Sequence, residues 1–326
     1  MRRSRVVVAA VGVLLGVGAA RAIAGRRERR VEVLTNLDQK RLRPAPPGDV
    51  RLSVVVPAYR EHSIGVTVMR LRAALADVVA DGGLEIIVVD DGSHDGTAEL
   101  AEAAGADLVL RQPVNRGKGA AVRAGMLSAH GRTVAFTDAD LSYSPDQLLD
   151  LLAEVEAGWD VVVGSRRHTD TTTLVRARRL REIGGRIINR LTHAVLLGHH
   201  RDTQCGLKAF RSDVAQLIFG HSHVDGFAFD VEVFHLVELY ELSLLEVPVR
   251  REPAAVDREG RPRAGRLVRD LFRIRQWHRQ GVYELDARHA AAQRPGAAFG
   301  PRRRLRRGLT AHCVPVPVVG APKAPN

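Results

Sequence analysis

The sequence predicts an α/β protein built on a mostly parallel sheet with helices on both faces. Short runs rich in β-branched residues alternate with segments of helical length. The runs are apolar almost end to end, as strands covered on both faces are. The residues just after them are polar or acidic, and open sheets of this kind bind ligands outside the carboxyl ends of their strands.

At the amino terminus, "MRRSR" leads into fifteen uncharged, mostly apolar residues, Val6 to Ala20, followed by Arg21, "AIAG" and "RRERR". The run is shorter than the ~20 residues of an ordinary spanning helix. Three readings fit residues 1–30: a cleaved signal peptide, a retained membrane anchor in which Arg21 snorkels, and an interfacial helix. Residues 31–50 form a linker, with "RPAPPGD" at 43–49 as its stiff part. Strands are expected at 51–58, 84–91, 107–110, 133–138 and 159–165, and helices near 64–80, 95–104, 117–130 and 145–157. Ser144 before Pro145 has the form of an N-cap followed by a first-turn proline. The domain runs over 51–250. Beyond it, Leu267, Leu271, Ile274 and Trp277 recur at helical intervals among arginines, so 251–285 is expected to hold an amphipathic helix lying on a membrane surface, with a plainly packed helix as the alternative. Residues 286–326, rich in Pro, Gly, Ala and Arg, read as a disordered basic tail.

Composition narrows the function. With 45% apolar and 26% charged residues the chain can bury a sizeable core. Cys205 and Cys313 lie far apart, which leaves neither a disulfide framework nor a zinc site. The net charge of +12 is carried entirely by arginine clusters in residues 1–30 and 302–307, and the remaining body balances at 36 basic and 36 acidic residues. No basic face is built into the fold, so nucleic acid is not an expected partner. Terminal arginines suit anionic lipid instead.

The strand ends carry the chemistry: "PAYRE" (57–61), "DDGSHDGT" (90–97), "DADLS" (138–142) and "GSRR" (164–167). Two carboxylates one residue apart, Asp138 and Asp140, repel unless a cation lies between them and the substrate, and Mg²⁺ or Mn²⁺ takes oxygen ligands of this kind. A turn-forming aspartate pair is the alternative. "NRGKGAAVRAG" (115–125) puts glycines and Lys118 at an expected helix start, where amides and the dipole favour a phosphate. Gly119 follows the lysine, so this is not a Walker loop, and no G-x-G-x-x-G follows the first strand.

In order and spacing, "SVVVPAYRE", "EIIVVDDGSHDGT", "NRGKGAAVRAGM", "FTDADLSYSP" and "VVVGSRR" resemble the family 2 glycosyltransferases. "RDTQCGLKAFR" (201–211) and "GFAFDVEVF" (226–234) resemble most the polyprenyl-phosphate branch, in particular its dolichyl-phosphate β-glucosyltransferases, relatives of the dolichyl-phosphate mannose synthases. The resemblance covers roughly residues 51–250 and implies a GT-A fold, a nucleotide-sugar donor, UDP-glucose favoured, inversion at the anomeric carbon, and a polyprenyl phosphate acceptor. It assigns Pro57, Tyr59, Glu61, Asp90 and Asp91 to the base and ribose. Asp138 and Asp140 fall to the metal and diphosphate, with Asp140 the preferred direct ligand. Ser142 stands where some relatives carry a glutamine ligand, and the Q-x-x-R-W signature of processive synthases is absent.

A lipid monophosphate is largely ionised near neutral pH, its second pKa being about 6, so placement outweighs proton removal. Arg166, Arg186, Lys208 and Arg211 are the candidates to hold it, Arg166 and Lys208 with Asp140 as catalytic groups, and Asp230 and Glu232 the candidates to line the sugar pocket. Each has a structural alternative as an ion-pair or core-edge residue. A cytoplasmic nucleotide-sugar donor favours a retained single-pass anchor, and the larger arginine cluster after the apolar run favours a cytoplasmic catalytic domain at the cell membrane. The runner-up is a GDP-mannose-dependent mannosyltransferase. A family 2 transferase with another acceptor and a non-catalytic nucleotide-sugar binder stand behind it; a nucleotidyltransferase would show a G-x-G-T-R-like loop where "PAYRE" lies.

Overall fold

The computed structural model describes residues 43–165, 205–250 and 264–285. The expected anchor at 1–30, most of the linker, Arg166, Arg186 and the 286–326 tail lie outside the described residues. Along the first half, β1 (Val50–Ala58) is followed by α1 (Ile64–Ala74), α2 (Ala76–Ala80), β2 (Leu84–Asp90), α3 (Thr97–Ala103) and β3 (Leu108–Arg111). Then come α4 (Lys118–Ser128), β4 (Gly131–Phe136), α5 (Gln147–Glu156) and β5 (Val161–Ser165). The second half holds β6 (Lys208–Arg211), α6 (Ser212–Gly220), α7 (Phe229–Leu239), β7 (Leu244–Pro248) and α8 (Ala264–Arg279).

The seven strands form one sheet in the order β3-β2-β1-β4-β6-β5-β7. β1 pairs in parallel with β2 and β4, β2 with β3, and β5 with β7. β6 runs antiparallel to both β4 and β5. The sheet is therefore mixed, parallel except around one inserted strand. Val54 and Val56 of β1, Ile86 and Val88 of β2, and Ile64, Val68 and Leu71 of α1 are all fully buried in one core cluster. Burial of each such side chain contributes about 1.5–3 kcal/mol, which is why continuous β-branched runs fold as central strands.

Several expectations change. α5 begins at Gln147, two residues after the expected start, because the Ser144 carbonyl rather than its hydroxyl closes the first turn, accepting from the Gln147 amide at 3.1 Å. β6 and β7 were not expected as strands. β6 carries charged residues at both ends, and those charges are buried by tertiary pairing that no local pattern announces. The stripe expected to rest on a membrane faces the protein: Leu267, Leu271 and Ile274 are at most 3% exposed. Phe272 and Arg273 look outward from the same helix. Among the described residues no helix is long and apolar enough to cross a membrane.

Candidate active site

The loops after β1 and β2 are tied to one another. The Glu61 amide donates to Thr97 Oγ1 at 3.0 Å and the Arg60 amide to Ser93 Oγ at 2.9 Å, while the Ser93 amide donates to Asp90 Oδ1 at 3.0 Å. Arg60 has a left-handed φ of 51°, a costly conformation for a side chain with a Cβ, held in place by these bonds. Tyr59 is left 43% exposed at the edge beside half-buried Pro57, under the Arg60 guanidinium, as an aromatic face open to a planar ligand. Glu61 accepts from the Ser63 hydroxyl at 2.5 Å and its amide at 3.2 Å, so its carboxylate is tied to the residue that precedes α1.

Asp91 is almost fully buried, and its two oxygens accept from the amides of Arg116 at 2.9 Å and Gly117 at 2.8 Å. Burial raises its carboxyl above the ordinary range, and the two amide bonds oppose that rise. Its task in this structure is to hold the loop that precedes Lys118 rather than to face a base.

At the end of β4, the Lys118 ammonium lies 2.6 Å from Asp138 Oδ1, joining two loops that the sequence places twenty residues apart. Asp138 packs directly on the backbone of Gly206, where an added Cβ would fall 1.9 Å from Asp138 Oδ2. Gly206 is therefore a site residue that the motif reading did not single out; its one signal was a glycine within "RDTQCGLKAFR". The middle of the Asp-Ala-Asp turn is pinned from α1, where Thr67 Oγ1 donates to the Ala139 carbonyl at 2.6 Å. Asp140 accepts from the Ser142 amide at 3.0 Å and its hydroxyl at 2.8 Å. Ser142 thus orients Asp140 instead of supplying a ligand amide.

The second half corrects the cation assignments. Lys208 is fully buried, donating to Asp230 Oδ1 at 2.5 Å and the Cys205 carbonyl at 2.7 Å, with the rings of Phe136 and Phe234 5.2 and 5.8 Å away. It stands at the site edge, paired with Phe136 across the sheet, but its charge is already answered. Burial pushes the Asp230 carboxyl up, against the attraction of Lys208 and Lys118. Arg211 pairs with Thr133, three residues toward the opposite edge of the sheet, and holds Asp213 and the Pro44 carbonyl. A strand advances about 3.3 Å per residue, so Arg211 cannot share a ligand with Lys208. Glu232 is fully buried and accepts from the amides of His223 and Val224 and from the Tyr283 hydroxyl at 2.6 Å. It is a loop anchor, not a sugar ligand. Asp230 alone of the two expected pocket carboxylates stands close enough to feel Lys118 and Asp138.

The donor set suits a hard divalent ion. Asp138 and Asp140 offer half-buried carboxylate oxygens at one strand end, and a lysine already supplies positive charge there. Among the described residues no cluster of three or more His, Cys, Asp or Glu is assembled. Such a sparse set fits an ion that takes one or two carboxylates and completes its shell with water and substrate phosphate.

Residues 53–219 match the family described as Glycosyl transferase family 2. The chain is 36% identical over 217 residues to a dolichyl-phosphate beta-glucosyltransferase of Drosophila melanogaster, covering 62% of this chain and 67% of that protein. It is 32% identical over 262 residues to one of Trichomonas vaginalis, covering 74% and 79%. Among solved structures, glucosyl-3-phosphoglycerate synthase from Mycobacterium tuberculosis with Mg²⁺ and UDP superposes at a TM-score of 0.51, with 23% identity, over 73% of this chain and 81% of that one. The same enzyme with Mn²⁺, UDP-glucose and phosphoglyceric acid gives 0.52, at 23% identity over 77% and 89%. Fold and site together define a nucleotide-sugar-dependent transferase of the GT-A type. The chain belongs to glycosyl transferase family 2.

Proposed function

We propose that the protein transfers one glucosyl residue, with inversion, from UDP-glucose to a polyprenyl monophosphate at the cytoplasmic face of a membrane. The observation that carries the reading is the Asp138 carboxylate held between Lys118 and Gly206 at the sheet edge, in a chain 36% identical to a dolichyl-phosphate beta-glucosyltransferase.

Tyr59 and the Pro57 edge receive the base, with Asp90 and Glu61 beneath it. Asp138 and Asp140 would hold Mg²⁺ or Mn²⁺, which neutralises charge building on the departing diphosphate when bound. Lys118 then turns its ammonium from Asp138 toward that diphosphate. Asp230, kept in place by Lys208, faces the same edge and is the carboxylate available to a sugar hydroxyl. The acceptor arrives already ionised, so the chain has to align it rather than deprotonate it. Arg166 and Arg186 remain the proposed phosphate holders. Residues 1–30 serve as a retained single-pass anchor, which brings the site to its lipid.

The test incubates membranes containing the protein with polyprenyl phosphate and labelled UDP-glucose or GDP-mannose, then extracts the lipid. Label from UDP-glucose is expected. Label from GDP-mannose alone would replace the donor, and none from either would overturn the reading. Fractionation of a variant lacking residues 1–30 tests the anchor, which predicts release of much of the protein from membranes.

A further inference from the structure

We propose that Asp225 is a positioning residue for the donor-phosphate site: it fixes the start of α4 so that Lys118 stands at Asp138, and Glu232 with Tyr283 fixes Asp225 in turn. The inference rests on the reading of Lys118 as a diphosphate-binding group.

Asp225 grips the chain on both sides of Lys118. Its carboxylate accepts from Arg116, two residues before the lysine, at 3.1 Å, and from Arg123, five residues after it. Its carbonyl accepts from the Ala120 amide at 3.2 Å. Arg123 also reaches the Ser222 carbonyl at 3.5 Å, so α4 is bound at two points of the loop that carries Asp225. The approach is too close for side chains. At Gly117, whose φ is 118°, a Cβ would lie 2.5 Å from the Asp225 carbonyl, and at Gly119 it would lie 2.4 Å from the Val224 carbonyl. The glycines flanking Lys118 are thereby explained as the surface on which the Asp225 loop rests.

Opposite Asp225, Asp91 holds the Arg116 and Gly117 amides. The backbone entering Lys118 is thus clamped between two aspartates from different halves of the chain. A lysine has four rotatable bonds and places its ammonium only as well as its Cα is fixed. The carboxylate clamp supplies that fixity.

Behind Asp225 the loop is anchored by Glu232, which takes the His223 and Val224 amides at 2.8–3.0 Å. Glu232 is oriented by the Tyr283 hydroxyl at 2.6 Å, and the Tyr283 carbonyl accepts from the Tyr240 hydroxyl at 3.0 Å. Tyr283 follows α8 and is 1% exposed. A set of bonds, buried at Tyr240, Tyr283 and Glu232 and reaching the surface at Asp225, therefore runs from the end of α8 to the loop that flanks Lys118.

The experiment compares wild type with Asp225→Asn and Tyr283→Phe. It reads the rate at which an amine-reactive acylating reagent labels Lys118, by mass spectrometry, and the affinity for UDP with Mg²⁺, by calorimetry. In Asp225→Asn, Lys118 labelling should rise several-fold and UDP affinity fall about ten-fold, with KM for the polyprenyl phosphate unchanged. Tyr283→Phe should move both in the same direction by less. A merely structural Asp225 would lower the unfolding midpoint and leave Lys118 labelling alone. If wild type does not bind UDP but labelling still rises in the variants, the donor assignment fails and the positioning role stands. Labelling and nucleotide affinity both at wild-type levels in Asp225→Asn overturn the proposal. Should that variant not fold, unchanged Lys118 labelling in Tyr283→Phe does the same.

Discussion

The two halves of the sheet use charge in opposite ways. From β4 onward to α5, Asp138 and Asp140 stand at a strand end, half-buried, with Ser142 on Asp140 and the Lys118 ammonium on Asp138. From β6 to α8 the same residue types lie inside, with their charges buried against partners from other elements, Lys208 on Asp230 and Glu232 on Tyr283. The first arrangement leaves lone pairs for a ligand. The second spends most of them on the fold. Residue type within a motif therefore does not give its role; the burial of its charge does.

The largest effect that would break this contrast lies at Asp140. Asp140→Ala should lower turnover by at least about 10²- to 10³-fold, as loss of a group acting on transition-state charge does, while the unfolding midpoint stays near wild type. Normal turnover at saturating donor would remove the metal assignment.

Lys208→Ala should behave in the reverse way. Removing one partner of a buried pair leaves the Asp230 charge unanswered, at a cost of about 3–5 kcal/mol in folding stability, measured by urea denaturation. The double variant with Asp230→Ala should recover part of that loss. A stable Lys208→Ala protein with only a weakened acceptor KM would return the lysine to the acceptor site.

A smaller and pH-dependent effect sharpens the comparison at His235. The ring is buried against His278 and Tyr283, its Nε2 has no hydrogen-bond partner among the described residues, and burial holds its pKa down to about 4. Above about pH 6.5 both folded and unfolded histidine are neutral and nothing changes. As pH falls from 6.5 toward 4 the unfolded chain takes up the proton first, so stability is lost, approaching about 3 kcal/mol. The difference between wild type and His235→Leu across that window isolates the effect, and a parallel pair of curves would refute it.

The least effect is expected on the outer rim. Arg51 bridges Asp81 and Glu156, but all three are solvent-accessible. Arg51→Ala should cost no more than about 1 kcal/mol, diminishing as salt is added.

This division explains what was legible in the chain. β1 to β5 were readable because Val, Ile and Leu runs announce a strand covered on both faces. That Asp138 and Asp140 would lie with Lys118 at one end of the sheet was readable because the loops after such runs gather there. β6 was not, since "KAFR" begins and ends with charges whose neutralisation depends on Asp230 and Asp213, one a helix away. Arg211 was misplaced because a motif gives order along the chain but not which end of a strand faces the site. The α8 leucines were correctly seen as a stripe, yet a helical stripe looks the same whether its cover is lipid or protein.

The antiparallel strand between β4 and β5 also sets a timetable. β1 to β4 come from one continuous stretch, residues 50–136, and can assemble as soon as it leaves the ribosome. β5 then has no neighbour in the sheet until residues 208–211 are made, because only β6 joins it to β4 and its other partner, β7, is later still. The nascent protein thus holds a strand with both edges open while some forty further residues are synthesised, and Asp138 lacks the Gly206 backbone on which it rests. A half-made chain possesses the loops that follow β1 to β4 but not the sheet edge that β6 completes.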